Sequence, residues 1–222
     1  MSDGGSVGHR RGGPRGSPEI AFSTRELRDL AAAWLALGVA FTFFLNPELA
    51  TGLRSGGVET TDVATSFALS LLTVGVGFLL HELAHKVVAV RFGQFAAFRA
   101  DYGMLFLAVM AGLAGFFFAA PGAVVHRGHI TERENGLIAL AGPVTNLLLA
   151  VAFAPMWLAA GGFVGDAGSM GVTINLLLAG FNMLPYGPLD GRKVVAWNKP
   201  VWAAVALPSF ALAAYALFGI GL

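Results

Sequence analysis

Long apolar runs separated by short polar breaks dominate the chain from residue 25 onward. Each run approaches the length of about 20 residues that a helix needs to cross a bilayer. Transmembrane segments are expected at about residues 30–45, 63–85, 136–160, 172–184 and 201–220, and a sixth apolar run occupies 103–120. The pattern therefore predicts an all-α polytopic membrane protein with about five to six transmembrane helices.

The N-terminal end has the opposite character. Residues 1–24 are rich in Gly, Ser, Pro and Arg, a composition that cannot form an apolar core, so we expect a disordered basic tail. Ser23 or Thr24 is suited to cap the first helix. The predicted organisation is this tail followed by a transmembrane domain at 25–222, with a catalytic core at about 63–195.

The composition agrees with a membrane protein. The 222 residues are 56% hydrophobic and only 12% charged, whereas soluble domains average about 25% charged residues. A net charge of +1 gives no reason to expect a nucleic-acid partner. The chain has no cysteine, which excludes disulfides, thiolate zinc ligands and thiol catalysis.

The distribution of Lys and Arg predicts an orientation. Basic residues precede the first apolar run and cluster again at 86–99 and 192–199, whereas 46–62 has one and 161–171 has none. Cytoplasmic loops carry the excess of Lys and Arg, so the N-terminus is expected in the cytoplasm. The loops 46–62 and 161–171 are expected outside.

The apolar run at 103–120 must then enter and leave the membrane on one face. If 136–160 runs outward from the cytoplasm, 103–120 is a re-entrant segment, and Gly103, Gly112 and Gly115 suit an irregular backbone there. The alternative is a simple helical crossing, which hydropathy alone favours.

The most informative motif is H-E-x-x-H, formed by His81, Glu82 and His85 within a strongly apolar stretch. On a helix the two histidines lie on one face and can hold one zinc ion, with the glutamate placed to take a proton from water. The alternative is a chance occurrence, but charged and titratable groups are costly to bury in a membrane unless they have a function.

Asp190 is the candidate third ligand, because catalytic zinc sites usually have three protein ligands. Pro185 and Pro188 end the preceding helix, so the chain must bend and present Asp190 from a turn near the cytoplasmic face. An ordinary Asp-Gly turn remains the alternative. His126 and His129 are also spaced to bind a metal, although exposed loop histidines are the favoured interpretation.

Two motifs together resemble the site-2 protease family of zinc metalloproteases. H-E-L-A-H at 81–85 is followed by N-x-x-P-x-x-P-L-D-G at 182–191, and A-G-P-V-T-N at 141–146 is similar to a third family motif. The resemblance covers about residues 63–195. The chain is similar to compact prokaryotic members that have neither a PDZ nor a CBS domain.

The resemblance implies roles for individual residues. Asp190 is implied as the third zinc ligand, with one Zn²⁺ per chain, and Asn182 as the group that binds the substrate carbonyl or oxyanion. Gly142 and Asn146 are implied as substrate-binding residues. The family also has a re-entrant β-hairpin after the H-E-x-x-H helix, expected here within 95–125, although this segment is longer and more apolar than two short strands require.

The predicted function is intramembrane proteolysis by a zinc metalloendopeptidase. Its expected partners are the lipid bilayer and membrane-protein substrates with a transmembrane segment. The expected location is a prokaryotic cell membrane, with the mouth of the active site toward the cytoplasm. The alternative is a non-proteolytic membrane metal-binding protein or transporter, in which Glu82 would be dispensable.

Overall fold

The structure, a computed structural model, describes residues 19–116 and 122–220 and is almost entirely helical over them. The expected disordered tail lies mostly outside the described residues. The helices are α1 (Thr24–Leu45), α2 (Pro47–Ser55), α3 (Thr60–Ser70), α4 (Val76–Arg91), α5 (Tyr102–Leu113), α6 (Glu132–Ala159), α7 (Gly162–Asn182), α8 (Asp190–Trp197) and α9 (Lys199–Tyr215). The strands are β1 (Phe95–Ala100) and β2 (Gly122–Arg127), and π-helical turns occupy Leu71–Gly75 and Ala216–Ile220.

Five helical segments in the described part of the chain are long and apolar enough to cross a membrane. They are Thr24–Leu45, Thr60–Arg91, Glu132–Ala159, Gly162–Asn182 and Lys199–Gly219. This confirms the prediction of an all-α polytopic membrane protein.

The first of these segments begins at the predicted cap, several residues before the apolar run at 30–45. α1 starts at Thr24, where the Ser23 hydroxyl accepts a hydrogen bond from the Glu26 amide, as the capping prediction required. Glu26 and Asp29 lie in the helix and are each only 1% exposed. Their burial is possible because basic partners from elsewhere in the chain neutralise them, a feature that hydropathy does not show.

The predicted external loop at 46–62 contains a helix. Pro47 occupies the first turn of α2, where its missing N–H costs nothing, and Glu48 lies in the same turn. Gly56 ends the helix with a φ of 73°, which favours glycine. These terminal signals were present in the sequence, but the segment was too short and polar to stand out.

The predicted loop at 161–171 is wrong. α7 runs without interruption from Gly162, so only Ala160 and Gly161 separate it from α6. A Cβ on Gly168 would lie 2.2 Å from the Trp157 backbone nitrogen, so this glycine allows α7 to lie directly against α6. Glycines that resembled a loop therefore serve close helix packing.

The π-helical turn at Leu71–Gly75 joins α3 to α4 in one continuous segment. The Trp34 ring on α1 packs against this turn and its Nε1–H donates to the Leu71 carbonyl at 3.1 Å. Single π turns occur often beside functional sites, because they change which residues the following helix directs inward.

The segment after α4 is re-entrant. β1 and β2 are antiparallel, and Ala100 at the end of β1 pairs with Gly122 at the start of β2, so the chain returns to the point where it left the sheet. In the sequence, α5 comes between β1 and β2, and it packs against α1. Gly112 on α5 directly faces the Ala40 backbone. The expected re-entrant segment is confirmed, the simple crossing is wrong, and a short helix accounts for the extra apolar length.

Two packing arrangements position the site. An apolar cluster from α1, α4, β1 and α7 includes Phe41, Phe78, Phe98 and Ile174, with the Phe78 and Phe98 rings 5.7 Å apart edge to face. α6 packs against α4 on one side and against α7 and α8 on others. The start of α8 is thereby brought to the H-E-x-x-H face of α4.

Candidate metal centre

The two histidines of α4 lie side by side in the interior. His81 and His85 are one helical turn apart, 5% and 7% exposed, and their Nε2 atoms are 2.9 Å apart. The i, i+4 spacing therefore produces the shared face that the sequence predicted.

Asp190 meets this pair from α8. Its Oδ2 lies 3.3 Å from His81 Nε2 and 3.1 Å from His85 Nε2. Asp190 is the first residue of α8 rather than part of a free turn. The next residue, Gly191, packs so closely on Met183 that a Cβ would lie 2.2 Å from the Met183 carbonyl oxygen, so this glycine allows the chain to fold back.

The outer ring nitrogens of both histidines are already bonded. His85 Nδ1 lies 2.7 Å from the Ile138 carbonyl oxygen, and His81 Nδ1 lies 2.6 Å from Asn146 Oδ1. A carbonyl oxygen only accepts, so Nδ1–H is the donor and each neutral imidazole directs an unprotonated Nε2 inward. Two lone pairs and a carboxylate then converge, an arrangement that a cation stabilises.

The donor set fits zinc. Ligand distances of about 2.0–2.2 Å in a tetrahedral site separate ligand atoms by about 3.3–3.6 Å, close to the spacings between these three side chains. Within residues 19–116 and 122–220, they form the one group of His, Asp or Glu close enough to hold a metal. His126 and His129 do not belong to it.

Asp190 carries its negative charge readily. Burial raises the pKa of this carboxyl, but the two histidines that face it, when protonated, lower the pKa by a larger amount, to well below its usual range. Lys193, one turn along α8, places its Nζ 3.5 Å from Asp190 Oδ1 on the exposed side. The carboxylate is therefore available as an ionised ligand at neutral pH.

Glu82 lies beside the three candidate ligands and is bonded to the re-entrant sheet. It is 7% exposed, and its Oε2 accepts the Val124 amide at 3.1 Å. Val124 pairs with Phe98. The Phe98 amide donates to Glu26 at the opposite edge of the sheet. Both amides point away from the sheet, so the outer edge of β2, which pairs with no other strand among the described residues, faces Glu82.

A cavity of about 180 Å³ connects these groups. Its polar lining consists of His81, Glu82, His85, His126, Asn182, Asp190 and Lys193. Apolar residues of α1, α4 and α7, such as Phe41, Phe78 and Phe181, cover the other side. The cavity is large enough for water and for part of a peptide backbone.

His126 is the residue of this cavity that sequence reasoning underestimated. It lies in β2, two residues after Val124, on the half-buried side of an alternating strand. Burial lowers its pKa, and the nearby positive charge of Lys193 lowers it further, so the ring is neutral at neutral pH. The period-two alternation at 122–127 was the signal for its position.

The remaining implied residues occupy two places. Asn182 ends α7 and lines the cavity, where its Nδ2 donates to the Leu178 carbonyl at 3.0 Å. Gly142 and Asn146 lie on α6 behind the ligands, and a Cβ on Gly142 would lie 2.5 Å from His81 Nε2. Substrate contact by these three residues stays a prediction.

The curated proteins that resemble the chain include three that carry the name putative zinc metalloprotease. MJ0611 of Methanocaldococcus jannaschii is 41% identical over 201 residues, which cover 89% of this chain and 97% of that protein. YwhC of Bacillus subtilis is 34% identical over 145 residues, 56% of this chain and 66% of YwhC. Rip3 of Mycobacterium tuberculosis is 35% identical over 122 residues, 53% of this chain and 27% of Rip3.

No family model matches the chain, and no solved structure matches it significantly. The match to the archaeal protein extends along nearly the whole of both chains. The name that these relatives share agrees with the group of His81, His85 and Asp190, which is suited to bind zinc.

Proposed function

The chain belongs to the site-2 protease-like family of zinc metalloproteases, and from that membership we propose that it hydrolyses peptide bonds within or near transmembrane segments of other membrane proteins. One observation carries the proposal. A buried carboxylate, Glu82, adjoins a His-His-Asp cluster inside a protein whose helices are long enough to span a membrane.

His81, His85 and Asp190 would hold the zinc ion. When bound, zinc supplies a Lewis acid that lowers the pKa of water toward about 7 and polarises a carbonyl group. The protein contributes the orientation of the ligands through the Nδ1 bonds to Ile138 and Asn146. The cavity beside these three side chains would leave room for the water that a catalytic zinc site needs.

Glu82 is the proposed general base and then general acid. Its carboxylate oxygen takes a proton from the attacking water and returns it to the leaving amine. A properly placed group of this kind contributes about 10²–10⁴-fold to the rate. The Val124 amide holds Glu82 Oε2 toward the cavity and so fixes the position of the proton acceptor.

Asn182 on α7 and His126 on β2 both line the cavity and are the proposed contacts of the substrate carbonyl. The amide of Asn182 is a donor for the oxygen that becomes negative during attack. His126, neutral at neutral pH, is able to donate without adding charge.

The outer edge of β2 is the proposed dock for the substrate backbone. A helical segment shields its peptide bonds within its own turns, so the segment must be extended before it is cut. An extended chain can add to an unpaired strand edge through main-chain hydrogen bonds. The direction of the Val124 amide supports this arrangement, because it points at the catalytic glutamate.

The orientation proposed from charge places this cavity near the cytoplasmic face of a prokaryotic cell membrane. Lys193 lies at the exposed end of the cavity and is followed by the basic start of α9. Water would enter from this side.

The test is hydrolysis by purified protein in liposomes with a panel of single-span peptides, some carrying Pro or Asn-Gly in mid-span. Mass spectrometry in ¹⁸O-labelled water detects new C-termini that contain one heavy oxygen. Glu82→Gln should lower the yield about 10²–10⁴-fold while retaining zinc, because the amide cannot accept the proton.

Glu48→Gln is the matched control, since Glu48 is an exposed carboxylate on α2, remote from the cavity. It should cleave like the wild type. Cleavage by Glu82→Gln at the wild-type rate would disprove the general-base assignment. No labelled terminus from any peptide, with zinc bound, would count against proteolysis itself.

A further inference from the structure

Two buried asparagines connect His81 to helix α7. Asn146 Oδ1 accepts from His81 Nδ1 at 2.6 Å, and Asn146 Nδ2 donates to Asn175 Oδ1 at 2.8 Å. Asn175 Nδ2 in turn donates to the Gly171 carbonyl at 2.8 Å. Both asparagines are 0% exposed, so solvent does not compete for these bonds.

Backbone carbonyls determine the direction of the whole chain of bonds. The Gly171 carbonyl can only accept, so the nitrogen of Asn175 faces it and the oxygen faces Asn146. The Gly77 carbonyl is a second pure acceptor, and it receives Asn146 Nδ2 at 3.2 Å. With both Asn146 donors used, its oxygen must face His81, and His81 must carry its proton on Nδ1.

The two zinc-site histidines are therefore oriented by different means. His85 Nδ1 bonds directly to the Ile138 backbone, which a side-chain substitution cannot remove. His81 depends on side chains of α6 and α7. This dependence makes one ligand adjustable by residues that never touch the metal.

The chain of hydrogen bonds requires α4 and α7 to lie close together. A Cβ on Gly77 would lie 2.8 Å from Asn175 Oδ1, so the absence of a side chain on α4 gives α7 room to bring its asparagine close. Asn175 lies seven residues before Asn182 on α7.

We propose that Asn175 is a positioning residue that acts through Asn146 to keep His81 Nε2 unprotonated and directed at the metal. The inference rests on the zinc site of the proposed function. It does not require proteolysis, because its effect is on metal binding.

The experiment measures the zinc Kd by chelator competition for wild type, Asn175→Leu, Asn146→Leu and the double variant. Loss of partners that orient a metal-bound histidine lowers affinity about 10- to 100-fold. Asn175→Leu should weaken zinc by about tenfold, since the Gly77 bond remains, and Asn146→Leu by more. The double variant should match Asn146→Leu, because Asn175 has no other route to His81.

Cobalt substitution supplies a readout that a general loss of stability would not change. The visible absorption of bound Co²⁺ reports ligand geometry, and it should shift in Asn175→Leu. Thr173→Val is the control, because it removes a buried hydroxyl from the same helix without touching Asn146. Its zinc Kd and Co²⁺ spectrum should equal those of the wild type.

If Asn175→Leu does not fold, Asn175→Ser serves instead. Its hydroxyl can bond the carbonyl one turn earlier, but it is too short to accept from Asn146. A Kd within twofold of wild type, additive losses in the double variant, or an equal loss in Thr173→Val would each overturn the inference. A wild-type chain that binds zinc without cleaving any peptide would overturn only the proposed function.

Discussion

At the residue scale, one missing methyl group allows the metal site to exist. Gly142 on α6 faces both imidazoles, and a Cβ there would lie 2.5 Å from His81 Nε2 and 2.6 Å from His85 Nε2. The rings cannot withdraw, because each Nδ1 is tied to a fixed oxygen. The small residue that the sequence associated with substrate therefore also determines ligand spacing.

Gly142→Ala should weaken zinc binding. Overpacking a tight site costs about 1–3 kcal/mol, which corresponds to about 5- to 150-fold in Kd. Zinc titration against a chelator measures the effect. Gly161→Ala is the control, since no atom of the described residues lies within 4 Å of its Cβ position. Unchanged binding by both variants would show that the rings have space to move.

Sequence reasoning succeeded best at this scale. The spacing of His81 and His85 fixes their shared face on any α-helix, and the Pro-rich turn before Asp190 required the chain to bend there. The role of Asn175 was not visible, because an asparagine in an apolar helix has many possible partners. Only the packing of α4, α6 and α7 selects Asn146.

At the scale of elements, the start of α1 holds the H-E-x-x-H helix and the re-entrant sheet together. Glu26 receives Lys86 Nζ at 2.7 Å and the Phe98 amide at 3.0 Å. Asp29 lies 3.7 Å from Arg99 and accepts the Tyr102 hydroxyl at 2.8 Å. The buried charges of α1 thus position β1, and through it the edge of β2.

Glu26→Gln should destabilise the fold by about 3–5 kcal/mol, because it leaves Lys86 buried without a counter-charge. Denaturant unfolding in detergent measures the loss. A double variant, Glu26→Gln with Lys86→Met, should recover part of it, since no lone charge remains buried. A loss below about 0.5 kcal/mol, as expected for a substitution at an exposed position such as Glu48→Gln, would contradict a stabilising role for the pair of Glu26 and Lys86.

The elements that were predicted wrongly share a physical cause. Glycines at 161–171 and the polar residues at 46–62 have low helix propensity or low hydropathy, so local preference favours loops. Packing against α6 and good helix caps outweigh those preferences. Likewise, 103–120 is apolar enough to cross, but pairing of β1 with β2 returns it to its own side.

At the scale of the whole molecule, the re-entrant segment decides which groups share a face of the membrane. The ends of β1 and β2 meet beside α4, so the segment does not reverse the direction of the later helices. α8 then starts on the same side as the H-E-x-x-H motif, and Asp190 reaches the two histidines. A crossing at 103–120 would have separated the ligands by the thickness of the bilayer.

Cysteine labelling tests this topology on a chain with no native cysteine. Thr51→Cys on α2 and Arg127→Cys on β2 both occupy exposed positions separated by one spanning segment. In intact cells a membrane-impermeant maleimide should label Thr51→Cys at once and Arg127→Cys only after permeabilisation. The reverse pattern would invert the proposed orientation, and equal labelling would contradict the single crossing between them.

The sequence by itself determined the class of the molecule and the shared helix face of His81 and His85. Membrane spans follow from apolar length, and the shared face follows from the spacing of the two histidines on a helix; both are local properties. Asp190 remained a candidate until the packing of α8 brought it to the two histidines. Only the tertiary structure decided the strand edge that faces Glu82, the place of His126 in the cavity and the asparagines behind His81. These depend on contacts between residues far apart in the chain, and such contacts exist only once the helices have packed.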